Sequence, residues 1–199
     1  MKKLAIVLIV VAMGFMGHST ELSRSQGEVV WFGLDYTQVK FIGYDTHFTD
    51  IPKIRDHYFA SWNELIVLES DKYDVKGALG VKEVSYEIEH AIDRSKQRDM
   101  NGILQSGSYE LGKDQLAKVL KAYVNPSDHR TGALMIMETL NKLDETSTMW
   151  LVVFDVATSE IHHLKKYAGK PGGFGFRNYW ARCYYNVLLD LKDSSQKPL

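Results

Sequence analysis

The chain has 199 residues, 45% of them hydrophobic and 12% aromatic, with 24 Lys+Arg against 25 Asp+Glu and a single cysteine. That apolar content is too high for a disordered chain and sufficient for one core. A formal net charge of −1 argues against a dedicated nucleic-acid binder, and one cysteine cannot close an intramolecular disulfide.

Lys2 and Lys3 precede an unbroken apolar run from Leu4 to Met13 that continues through Gly14, Phe15 and Met16. This is the pattern of a secretory signal peptide. The run is shorter than the roughly 20 residues of a membrane-spanning helix, and the small residues Gly17 and Ser19 precede a suitable cut before Thr20. The expectation is a leader over residues 1–19 and one mature domain over 20–199, periplasmic or secreted, with no transmembrane span after cleavage. An uncleaved anchor or a buried N-terminal helix is the alternative. Losing residues 1–19 removes two lysines and no acid, so the remainder is mildly acidic. In an oxidising compartment Cys183 is expected to be buried.

Val29-Val30-Trp31-Phe32-Gly33-Leu34 predicts a strand, with Gly33 marking a bulge or a close approach, and Val39-Lys40-Phe41-Ile42 continues it as one bent strand or two short ones. A helix follows, capped by Thr49 or Asp50 and carrying Pro52 in its first turn. Its apolar residues Ile51, Ile54, Tyr58, Trp62, Leu65 and Ile66 share one face. Residues 71–80 read as turn material with one helical turn at most. Val84, Tyr86 and Ile88 alternate with polar residues as in a half-buried strand. Residues 93–113 are polar, punctuated by Gly102, Gly107 and Gly112, and read as a long loop. Leu116, Val119, Leu120 and Tyr123 mark a short helix that stops at Asn125-Pro126.

Ala133 to Leu140, Met149 to Val156 and Ile161 to Tyr167 predict three antiparallel strands. Lys170-Pro-Gly-Gly-Phe-Gly175 then leads into a last helix with Phe176, Trp180, Cys183, Val187, Leu188 and Leu191 on its inner face. The expected fold is α+β, a mixed, mainly antiparallel sheet of about five strands with helices packed against it, in the order β-α-β-α-β-β-β-α.

The stretch Leu151-Val-Val-Phe-Asp-Val-Ala-Thr-Ser-Glu-Ile161, an apolar strand ending in Asp-x-x-Thr-x-Glu, resembles a hairpin of cell-envelope proteins: the curli-secretion lipoproteins, the activators of penicillin-binding proteins and the N-terminal domain of the Tol translocation protein. The likeness covers roughly residues 133 to 191, and Ser159 stands where those families favour glycine. Trp31-Phe-Gly-Leu-Asp-Tyr36 together with Gly172-Gly-Phe-Gly-Phe-Arg-Asn-Tyr-Trp-Ala181 is also similar to a family of exported bacterial proteins, a likeness that brings no activity with it.

The glycine-rich entrance to the last helix is the best candidate site. Glycines admit close approach of backbone N–H groups, and Lys170 and Arg177 add cationic donors. It lacks the Gly-Lys-Ser/Thr ending of a phosphate loop and the dinucleotide spacing. The plainer alternative is a tight strand-to-helix turn whose Phe174 and Phe176 plug the core. Asp45, His47, Asp50 and His57 cluster without a recognised metal spacing, and His162 and His163 point to opposite faces of a strand, so no metal site and no cofactor are expected. Cys183 shares an apolar stripe with Trp180 and Val187 and reads as an inert thiol. No Gly-x-Ser-x-Gly or His-Glu-x-x-His motif is present, and no catalytic residue is assigned. Tyr179, Tyr184 and Tyr185 crowd the last helix, so at least one ring should leave the core.

The first reading is a non-enzymatic binding or assembly module with a cell-envelope protein as partner, using Lys170, Gly172, Gly173, Phe174, Gly175, Arg177, Tyr179 and Tyr184. The alternative is a small periplasmic hydrolase built on Asp45, His47 and a second carboxylate. A third is an anion-binding module at the Gly172 loop.

Overall fold

The computed structural model describes residues 27–196, and the leader expected over residues 1–19 lies outside them. Among the described residues, no helix is long and apolar enough to cross a membrane.

Strand β1 (Glu28–Asp35) is buried from its second residue onward, with apolar side chains on both faces. That is the signature of a strand covered on both sides. It pairs in parallel with β3 (Glu83–Tyr86) and with the first half of β5 (Thr131–Asn141). Its register against β5 slips between Trp31 and Leu34, and there Gly33 has φ +94°. A Cβ on Gly33 would meet Asn63 Oδ1 at 2.3 Å. The space is needed because that oxygen accepts from Leu34 N at 2.7 Å while Asn63 Nδ2 donates to Leu34 O at 3.0 Å.

Strand β2 (Lys40–Ile42) follows a turn closed by Val39 N donating to Tyr36 O. It pairs in parallel with the second half of β5 and with β4 (Leu104–Gln105). On its other edge β5 takes β6 (Thr146–Asp155), which takes β7 (Ile161–Gly169), both antiparallel. The expected mainly antiparallel sheet of about five strands is therefore wrong. Among the described residues seven strands form the sheet, and the five from β1 to β5 run parallel.

The reason lies in the connections. From β2 to β3 the chain passes through α1 (Ile51–Lys53), a π-helical turn (Ile54–Tyr58), α2 (Phe59–Leu68) and α3 (Val75–Leu79). From β3 to β4 it passes through α4 (Glu89–Lys96), and from β4 to β5 through α5 (Lys113–Lys121). Helical crossovers of this length bring each strand back in the same direction. The stretch expected as one loop, residues 93–113, contains the end of α4 and all of β4, and Ile88 is the buried N-cap of α4 rather than a strand residue.

Asp50 caps α1, its carboxylate accepting from Lys53 N at 3.0 Å, with Pro52 in the first turn. The π-helical turn, in which Phe59 N donates to Ile54 O, sets Ile54 and Phe59 on the core side and leaves Tyr58 only half-buried. Helices α2, α3 and α6 (Phe176–Gln196) cover one face of the sheet around Trp31, Met135 and Leu151. Helix α5 covers the other around Phe32, Ile136 and Phe154. Trp31, Trp62 and Trp180 are fully buried, each worth roughly 1.5–3 kcal/mol of apolar burial. At the β6–β7 turn, Asp155 accepts from the N–H and hydroxyl of Thr158, and Ser159 takes φ +62°, the conformation that glycine adopts freely.

Candidate functional site

Helix α6 starts abruptly because the chain must turn from β7 over the sheet end. Gly173 and Gly175, at φ +98° and +80°, supply that turn. It is closed by Tyr179 N donating to Gly175 O at 2.9 Å and Gly172 N donating to Tyr179 O at 3.0 Å. Between the two glycines Phe174 points into solvent and is 96% exposed, so it does not plug the core. Phe176 does pack inward, with its ring centre 5.0 Å from Tyr58 and 6.1 Å from Trp62.

Beside this loop lies an open pocket of about 260 Å³ lined by His47, Lys142, Gly173, Gly175, Phe176, Tyr179 and Trp180. His47 comes from the loop after β2, and Lys142 directly follows β5, its N–H donating to Ile42 O at 2.8 Å. The pocket thus sits at the carboxyl ends of two adjacent parallel strands, where sheets of this kind place their ligands.

Lys142 Nζ donates to Tyr179 Oη at 2.5 Å and lies 3.9 Å from the centre of the same ring. The Tyr179 hydroxyl donates onward to Glu145 Oε1 at 3.1 Å, and Glu145 is 3.5 Å from the ammonium. Burial opposes the charge on Lys142, but Tyr179 and Glu145 outweigh it and hold the ammonium above its ordinary pKa. His47 Nδ1 accepts from Tyr44 N at 3.2 Å. Tyr44, Leu143 and Phe174, three of the large hydrophobic side chains left in solvent, stand on the loops that carry His47, Lys142 and the Gly173–Gly175 turn.

The expected site residues divide. Gly173, Gly175 and Tyr179 line the pocket, Phe174 stands in solvent between the two glycines, and the Gly172 N–H donates to Tyr179 O. Lys170 is exposed, with its carbonyl accepting from Asn186. Arg177 faces α2, where its Nε donates to Ser61 Oγ and its carbonyl accepts from Trp62 Nε1, both at 2.9 Å. Tyr184 is no contact residue. It is fully buried, bonded to Tyr36 Oη at 2.9 Å, and burial raises both phenols well above their ordinary pKa.

Of the second group, Asp50 is spent on its cap, His57 is exposed on the π-helical turn, and only His47 lines the pocket. Among the described residues no three His, Cys, Asp or Glu side chains are placed to hold a metal. Cys183 is buried, and desolvation pushes its thiol up to about 12. Lys142, Tyr44 and Leu143 carried no sequence signal, since each falls in an ordinary polar connection. Comparison with protein-family models, with curated proteins and with solved structures finds no match to this chain.

Proposed function

We propose that the protein is an exported binding module of the cell envelope that holds a partner protein through the exposed apolar side chains of the α6 pocket loops, without catalysing a reaction. The observation that carries this reading is Phe174. A phenyl ring 96% exposed on a loop braced by two backbone hydrogen bonds costs hydration and gains nothing within the monomer. Buried by a partner, it would supply roughly 1.5–3 kcal/mol, the contribution of an interface anchor. Tyr44 and Leu143 extend the apolar contact, and Lys142 and Glu145 provide the polar margin usual for such surfaces. The hairpin likeness of residues 151–161 to envelope assembly proteins and the leader-like residues 1–19 support the location.

The hydrolase reading draws on His47 in the pocket, but His47 Nδ1 is already engaged by Tyr44 N and the neighbouring Asp50 by a helix cap. The test is recovery of envelope proteins on tagged wild type and on Phe174→Ser. A specific partner lost at least tenfold in the variant supports the proposal, and equal recovery refutes it.

A further inference from the structure

Phe174 and the α6 pocket lie side by side. The ring stands in solvent between Gly173 and Gly175, and both glycines line the pocket that the ring itself does not enter. Phe176, Tyr179 and Trp180 give that pocket aromatic walls, against which a further aromatic ring packs edge-on or offset. Its volume of about 260 Å³ falls below the roughly 300–1,000 Å³ of cavities that enclose a whole small molecule. It suits a single side chain.

Charge divides in the same way. Residues 169–177, which carry the ring, include Lys170 and Arg177 and no acid. Lys170 is exposed, whereas Arg177 is turned to Ser61. On the pocket side the loop of His47 carries the exposed Asp45, and the turn that begins at Lys142 carries the exposed Asp144 and Glu145, while Lys142 itself is directed to Tyr179. Among the described residues neither Lys170 nor Asp45 forms an ion pair.

We propose that the partner on this surface is a second copy of the chain, each copy placing Phe174 in the α6 pocket of the other about a two-fold axis, an assignment that rests on the reading of Phe174 as a protein-binding anchor. A surface with a knob beside its hole, and a basic loop beside two acidic ones, complements itself under a two-fold rotation. The basic loop of one copy then meets the acidic loops of the other while both rings are buried. Tyr44 and Leu143, exposed on the acidic loops, add apolar area. Such a contact closes at the dimer, because both rings and both pockets are used.

Sedimentation equilibrium of the purified protein, from micromolar to millimolar concentration, tests the assignment. The expected result is a monomer–dimer equilibrium with no larger species, weakened at least tenfold in Phe174→Ser and unchanged in Leu68→Ser, at the exposed end of α2. Lys170→Glu and Asp45→Lys should each associate less than wild type, since each sets like charges face to face at both contacts. Mixed in equal amounts, the two variants should associate more strongly than either alone, because the mixed dimer has an opposite-charge pair at both contacts. A monomer at every concentration, a dimer as strong in Phe174→Ser, or a mixture no tighter than its components would overturn the assignment. The reading of Phe174 as an anchor is decided separately: a monomeric chain that still loses a specific envelope protein on Phe174→Ser keeps that reading and makes the partner a different protein.

Discussion

The Lys142 ammonium lies 3.9 Å from the centre of the Tyr179 ring and donates to its hydroxyl at 2.5 Å, tying the β5–β6 turn to the first turns of α6. Leu143 and Phe174, both exposed, stand on the two loops that this tie joins. Tyr179→Phe keeps the ring and the cation contact but removes the hydroxyl bridge to Glu145. It should cost no more than about 1 kcal/mol in urea denaturation, because the groups remain near water, yet weaken partner binding several-fold in a titration.

Tyr36 and Tyr184 are 148 positions apart and share one buried hydrogen bond. Tyr184→Phe leaves the Tyr36 hydroxyl buried without its partner and should cost about 1–3 kcal/mol. Adding Tyr36→Phe should cost less than the sum of the two single changes. Strict additivity in urea midpoints would show that the bond contributes nothing.

Glu138 is 1% exposed on β5. Burial raises its pKa, but hydrogen bonds from Leu111 N and Trp150 Nε1 and the Lys166 ammonium at 2.6 Å outweigh this and hold it below its ordinary value. The unfolded chain therefore takes up this proton first as pH falls. The stability it contributes is complete above the unfolded pKa, about 4.3, and is lost as pH drops through the lower folded value. Glu138→Gln should be less stable than wild type at pH 7 by about 1.5–3 kcal/mol, and the gap should narrow towards pH 3. A gap independent of pH would contradict this.

Gly169 lies where β7 meets α6, and a Cβ there would fall 2.2 Å from Cys183 O. Backbone cannot yield as a side-chain tip does. Gly169→Ala should cost about 1–3 kcal/mol or more, read from the thermal midpoint. In the wild type the Cys183 thiol should resist alkylation until the protein is unfolded, as its burial and raised pKa require.

Features governed by neighbours in sequence were legible. The apolar stripe of α6 through Trp180, Cys183, Val187, Leu188 and Leu191 is buried as its spacing requires, Asp50 caps its helix, and Gly33 marks a real irregularity in β1. The parallel pairing of β1 to β5 was not, because it depends on two weak elements. Helix α4 is mostly polar, burying only Ala91, Ile92 and Ser95, and β4 has two residues. The outward turn of Phe174 was equally hidden, since a residue between two glycines can be aimed either way. Lys142 gains its place only because β5 ends beside β2, a long-range pairing that a polar hairpin turn does not announce.

The most direct measurement is site-specific photo-crosslinking in the native envelope, with the reactive residue placed in turn at Phe174, at Leu143 and, as a control, at Leu68, which is 80% exposed at the end of α2. The account predicts the same discrete adduct from positions 174 and 143 and none from 68. Adducts of equal yield from all three positions, or from none, would contradict it.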